Sequence, residues 1–110
     1  MAETDKPETD VTKRPVVLSL PNMGQVTVQS LQYLAESGAT LEFDIYSPPT
    51  FSQGDELAAS RTLPVIVLVT GHKDSNIEAA VGCPLKDTEQ YRSWGRLLAV
   101  SGLIAVTYAN

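Results

Sequence analysis

The chain has 110 residues, 43% apolar and 19% charged, with a net charge of −5 and a pI near 4.6. That length fits one domain with a modest core, and the acidic balance argues against nucleic acid or an anionic membrane, both of which need clustered Lys and Arg. A single cysteine, Cys83, rules out an intrachain disulfide.

Residues 1–14 are charged, Thr-rich and without periodicity, and read as a disordered acidic tail. The domain proper is expected over 15–110. Pro15 to Pro21 is short, apolar and extended. Nothing near the N-terminus has the apolar core of a signal peptide, and no run reaches the ~20 apolar residues of a membrane span. The default expectation is a cytoplasmic protein with no membrane partner.

Val26 to Leu34 is rich in β-branched and aromatic residues and reads as a strand. Ala35–Ala39 is a turn, with Gly38 free to take positive φ. Thr40 to Tyr46 alternates: Leu41, Phe43 and Ile45 face one way, Thr40, Glu42, Asp44 and Tyr46 the other. The two strands make an antiparallel hairpin, which Pro48 and Pro49 end. Residues 50–62 are a loop, with room for one helical turn over 55–60. Leu63 to Val69 is continuously apolar, as in a parallel strand of an α/β sheet. A long loop over 70–86 follows. Asp87 is placed to cap a helix, with Gln90 at capping-box spacing. The helix carries Tyr91, Trp94, Leu97, Leu98 and Ser101 on one stripe and Glu89, Arg92 and Arg96 on another. Gly95 costs this helix about 1 kcal/mol relative to alanine, a cost that close packing on a sheet offsets. Gly102 is a left-handed stop. Leu103 to Tyr108 is the last strand. The fold class is α/β: an incomplete sheet with an N-terminal antiparallel hairpin, then strand, loop, helix, strand.

The candidate chemistry lies after the strand at 63–69. A strand ending in Thr70-Gly71-His72 leaves backbone N–H groups at the C-terminal edge of the sheet, where open α/β sheets bind ligands and where such donors stabilise an oxyanion. The plainer reading makes Gly71 the residue of a sharp turn. His72, the only histidine, reads as an exposed loop residue, because Asp74 and Ser75 are its neighbours in sequence without triad geometry. One His and one Cys do not make a usual zinc set. Cys83, before Pro84, reads as a small packing residue. Gly71-His72-Lys73-Asp74-Ser75 is not a phosphate loop, since no glycine stands four positions before a Gly-Lys pair. There is no G-x-G-x-x-G and no G-x-S-x-G nucleophile elbow. No cofactor is expected.

The run Leu41-Glu42-Phe43-Asp44-Ile45-Tyr46-Ser47-Pro48-Pro49, then Leu63 to Gly71, then Tyr91 to Ala99 and Gly102 to Tyr108, resembles the start of an α/β-hydrolase, nearest the dienelactone hydrolase and esterase branch. A D-x-Y-x-P strand end, a P-V-V-V-x-x-H-G strand, a helix and a G-x-x-A-V-x-x-x-Y strand occur in that order in the family. The likeness spans residues 26–110. It implies that the backbone N–H of Gly71 or His72 is an oxyanion donor, although Thr70 stands where a histidine is usual and His72 where a glycine is usual. It also implies that nucleophile, acid and catalytic histidine lie beyond Asn110. The chain is then an N-terminal fragment, inactive alone, of a serine-type enzyme whose partner is a small ester or lactone. The alternative is a non-enzymatic interaction module, self-associating through an exposed strand edge.

Overall fold

The computed structural model describes residues 10–16, 19–49, 62–71 and 73–110. The expected helical turn over 55–60 and residue His72 lie outside these. Four strands form one mixed sheet: β1 (Thr27–Leu34), β2 (Thr40–Ser47), β3 (Val65–Val67) and β4 (Ile104–Tyr108). Their spatial order is β1-β2-β4-β3. β1 and β2 are the predicted hairpin, paired antiparallel from Thr27–Ser47 to Leu34–Thr40 around the positive-φ Gly38. β2 is antiparallel to β4, and β4 is parallel to β3, with Val65 opposite Ile104 and Val67 opposite Val106. A parallel neighbour needs a crossover. The chain supplies it with two helices, α1 (Asp74–Val81) and α2 (Glu89–Val100).

Helix α1 falls inside the segment read as loop. It is only eight residues long and ends on Gly82 in the left-handed region (φ 85). Its boundaries are marked by Asp74 in the first turn and that glycine, but two turns are too few to show a clear apolar period. A 3-10 turn, Leu85–Asp87, follows it. The predicted start of α2 shifts by one residue: Thr88, not Asp87, is the N-cap, its Oγ1 accepting from the Tyr91 N–H at 3.5 Å. Asp87 is turned away to pair with Lys86. Gly102 follows α2 in the left-handed region, as expected (φ 94).

Helix α2 packs on β2 and β4. The core there consists of Tyr46, Ala99 and Ala105, with Val26 and Leu98 against it. The helix lies close to the sheet because its central contact residue has no side chain. A Cβ on Gly95 would sit 2.7 Å from Cδ1 of the Tyr46 ring. This is the close packing that the mid-helix glycine predicts. The stripe expected to face the core does so only in part: Leu98 packs against it and Tyr91 and Leu97 are half-buried, but the buried residues are Ser93, Gly95 and Ala99, and Trp94 is 43% exposed. Small residues permit the near approach, and the large ones are left to flank it.

The same geometry selects the buried side of β2. Asp44 and Tyr46 are buried under the helix, and Leu41, Phe43 and Ile45 on the opposite face are half-buried. On that second face Tyr33 packs tilted against Phe43, with ring centroids 6.1 Å apart. Before the sheet begins, the turns Val11–Lys13 and Met23–Gln25 both contact α2. Asp10 Oδ1 accepts from the Thr12 N–H to form the turn Val11–Lys13, and the Val16 N–H donates to Ser93 Oγ at 3.2 Å.

Candidate functional site

β3 is short as a ladder, but its hydrogen bonds extend one residue each way. Ile104 N–H donates to Pro64 O and Leu68 N–H to Val106 O, both at 2.9 Å. The chain then reaches Thr70, which is buried, and Gly71, which is exposed. Gly71 is not in the left-handed region, and a Cβ added there would meet nothing within 4 Å. Neither a positive φ nor close packing therefore requires glycine at this position, although the chain bends here. Open space lies where its side chain would be, at the C-terminal end of β3.

Next to this strand end is a groove of about 520 Å3 lined by Val67, Leu68, Val69, Gln90, Tyr91 and Trp94. It runs between the outer side of β3 and the N-terminal half of α2. Burial pushes the Tyr91 hydroxyl above its ordinary pKa, so it is a neutral donor or acceptor here.

The loop after Gly71 is held by Asp74, whose side chain sequence reasoning weighed only as a neighbour of His72. The residue is 7% exposed. Its Oδ2 accepts from Asn110 N–H at 2.8 Å, its Oδ1 from Leu85 N–H at 3.2 Å, and its own N–H donates to Asn110 O at 2.9 Å. Three backbone groups from two distant segments thus converge on one residue. The carboxylate is committed to them, so its role is to fix the exit from β3 against the end of β4.

A second buried polar group was also not foreseen. Lys86 Nζ lies 2.8 Å from Asp87 Oδ1, 3.2 Å from Asp44 Oδ2 and 3.4 Å from Glu42 Oε1, and its side chain is 4% exposed. Ser30 Oγ donates to the other Asp44 oxygen at 2.7 Å. Burial alone pushes the lysine pKa down, but hydrogen bonds and charge from Asp87 and Asp44 outweigh it and hold the pKa above the ordinary lysine value. The ammonium therefore stays charged and is not a nucleophile or base near neutrality. It pins the Leu85–Asp87 turn to β2. The alternation of β2 gives no signal of this site, because it places Asp44 on a face that reads as solvated, whereas Asp44 is buried and therefore requires a cation.

Cys83 is half-buried, and burial followed by the nearby Asp87 pushes its thiol pKa up. That is the reverse of an activated cysteine and agrees with a packing role. Glu89 pairs with Arg96 at 3.6 Å and with Arg92 at 3.8 Å on the solvated face of α2, as its spacing predicts. Among the described residues no group of three His, Cys, Asp or Glu can hold a metal ion, and no helix is long and apolar enough to cross a membrane. Along the chain the β3 wall of the groove ends at Val69, two residues before Gly71, and the Asp74 anchor follows three residues after it. Comparison with known proteins finds no family model, no curated protein and no solved structure that matches this chain.

Proposed function

We propose that residues 26–110 are the opening part of an α/β-hydrolase-type domain of the ester- or lactone-cleaving kind. In this reading the chain contributes the backbone N–H of Gly71 or His72 as half of an oxyanion hole and contributes no nucleophile. The observation that carries it is Gly71: a glycine at a strand's C-terminal end that neither a positive φ nor packing demands, with open space where a Cβ would lie. A bare backbone donor admits the close approach of a developing oxyanion, which a side chain would obstruct. Two further features support the reading. The sheet runs β1-β2-β4-β3 with β3 parallel to β4, so the turn after β3 lies at the C-terminal strand end, the edge where open α/β sheets bind ligands. An apolar groove adjoins it, suited to the acyl or alkyl part of an ester. Residues 1–110 are expected to hydrolyse p-nitrophenyl acetate no faster than buffer. Turnover that co-purifies with the chain and is lost on substitution of its own residues overturns the reading. A reading frame that continues beyond Asn110 into a strand and a G-x-S-x-G turn supports it.

A second reading is favoured by a separate observation. β3 is an outer strand among the described residues, and Val65, Ile66, Val67 and Val69 are 37–72% exposed along it. In this reading the chain is a non-enzymatic module that pairs with another chain through that edge.

A further inference from the structure

We infer that the β3 edge is self-complementary, and that two copies of this chain pair antiparallel about a twofold axis at Val67. The inference deepens the second reading above and is independent of the first.

Pro64 O and Leu68 N–H both turn toward β4. Main-chain polarity alternates along a strand, so Pro64, Ile66 and Leu68 face the sheet, and Val65, Val67 and Val69 direct their N–H and C=O groups to the open side. Pro64 therefore leaves no gap in the outward row, although proline commonly blocks a strand edge. The sequence between these points, Val65-Ile66-Val67-Leu68-Val69, reads nearly the same in both directions. Placed antiparallel against a copy of itself, Val67 meets Val67 as a hydrogen-bonded pair and each Val65 meets a Val69. Every outward donor then faces an acceptor in register.

Side chains and charge fit the same partner. Residues 62–71 contain no Asp, Glu, Lys or Arg, so identical edges meet without like charges despite the net charge of −5. Among the described residues this edge carries none of the devices that usually keep edges apart, such as an outward lysine or a bulge. On the α2 side, Ile66 and Leu68 of one copy lie against the groove that Tyr91 and Trp94 form on the other. On the other side Val65 and Val67 extend the half-buried sheet face across the axis, while Val67 and Val69 also border the groove.

The exposed fractions set the strength. Covering what is open on Val65 (55%), Ile66 (37%), Val67 (50%), Val69 (72%) and Trp94 (43%) removes roughly 450 Å2 per copy, or about 900 Å2 in all, below the ~1,200 Å2 of a standard stable interface. Pairing is therefore weak and concentration-dependent.

The test uses sedimentation equilibrium of residues 1–110 from about 10 µM to about 1 mM, a range matched to an interface of this size. The mass is expected to rise toward twice that of the monomer, with a blue shift of the Trp94 emission. At a twofold axis position 67 meets itself. Val67→Lys and Val67→Glu should each remain monomeric, and an equal mixture should associate again at least as well as the parent. Circular dichroism of each variant at low concentration separates lost pairing from lost folding. A monomer throughout the range overturns the inference. So does a mixture that stays monomeric while both variants are folded. Association unaffected by either substitution overturns the Val67 axis while leaving the broader reading of an interaction module in place.

Discussion

At the scale of single residues, Gly95 and Tyr46 carry the helix–sheet contact. Alanine at position 95 gains about 1 kcal/mol of helix propensity. Its Cβ, however, would lie 2.7–2.9 Å from three atoms of a ring that is 1% exposed. Inserting a methyl group into such a contact typically costs 1–3 kcal/mol, so steric cost exceeds propensity. Gly95→Ala is expected to lower the urea midpoint without changing the slope, by about 1–2 kcal/mol. An unchanged or raised midpoint would mean that α2 moves out at little cost. The glycine itself was legible, because a residue so unfavourable in mid-helix needs a packing reason. Its partner was not. Tyr46 shares its strand face with Asp44 and Glu42, and by polarity that face reads as solvated. Only the Lys86 ammonium, arriving from a turn 42 positions away, makes burial of Asp44 tolerable.

At the scale of elements, β1, β2, β4 and α2 were readable within a residue or so, because each has a full period and a chemical stop, whereas the apolar run 63–69 forms a ladder only over Val65–Val67. The hairpin has its alternation and Gly38, α2 its apolar stripe and Gly102, and β4 its apolar run. Helix α1 was missed because it is defined by what it joins more than by its own pattern. Asp74 connects its first turn to Asn110 and Leu85. Removing that carboxylate leaves two backbone N–H groups without acceptors, at about 1–3 kcal/mol each where buried. Asp74→Ala is expected to speed amide hydrogen exchange at Leu85 and Asn110 strongly while leaving Ala105, in the middle of β4, protected. Asp74→Asn retains one acceptor oxygen and should fall between. Equal loss of protection throughout β4 would indicate that the anchor supports the whole sheet and not only the exit from β3. Trp94 belongs to this scale too. Its position on the helical stripe was legible, but exposure was decided by which neighbouring positions are small enough to touch the sheet.

At the scale of the molecule, the balance of titrating groups fixes how stability depends on pH. Lys86 has a folded pKa above its unfolded value, held there by Asp87 and Asp44 against burial. Tyr46 and Tyr91 are likewise raised, chiefly by burial. For each, the native state keeps its proton after the unfolded chain has lost it. Their contribution is complete below the unfolded values of about 10 for Tyr and 10.4 for Lys, and it declines as pH rises beyond them. Stability to urea is therefore expected to fall from about pH 10 upward. Lys86→Met should be destabilised by about 3–5 kcal/mol at neutral pH, because Asp44 is left buried without its counter-ion, and should show a shallower alkaline decline. An alkaline profile identical to the parent would mean that the lysine is not the titrating group. The mixed α/β sheet was foreseeable as a class. The choice of covered face was not, since it depends on one helix finding its nearest approach over Tyr46.

The wedge at Gly95 has a dynamic consequence. A tyrosine ring sweeps out a wider volume when it flips about its axis than when it lies flat, and Gly95 of α2 stands so close to the Tyr46 ring that not even a methyl group fits between them. Tyr46 can turn over only during moments when the helix lifts from the strands beneath it. The rate of that half-turn is then an internal clock for how often this small domain breathes.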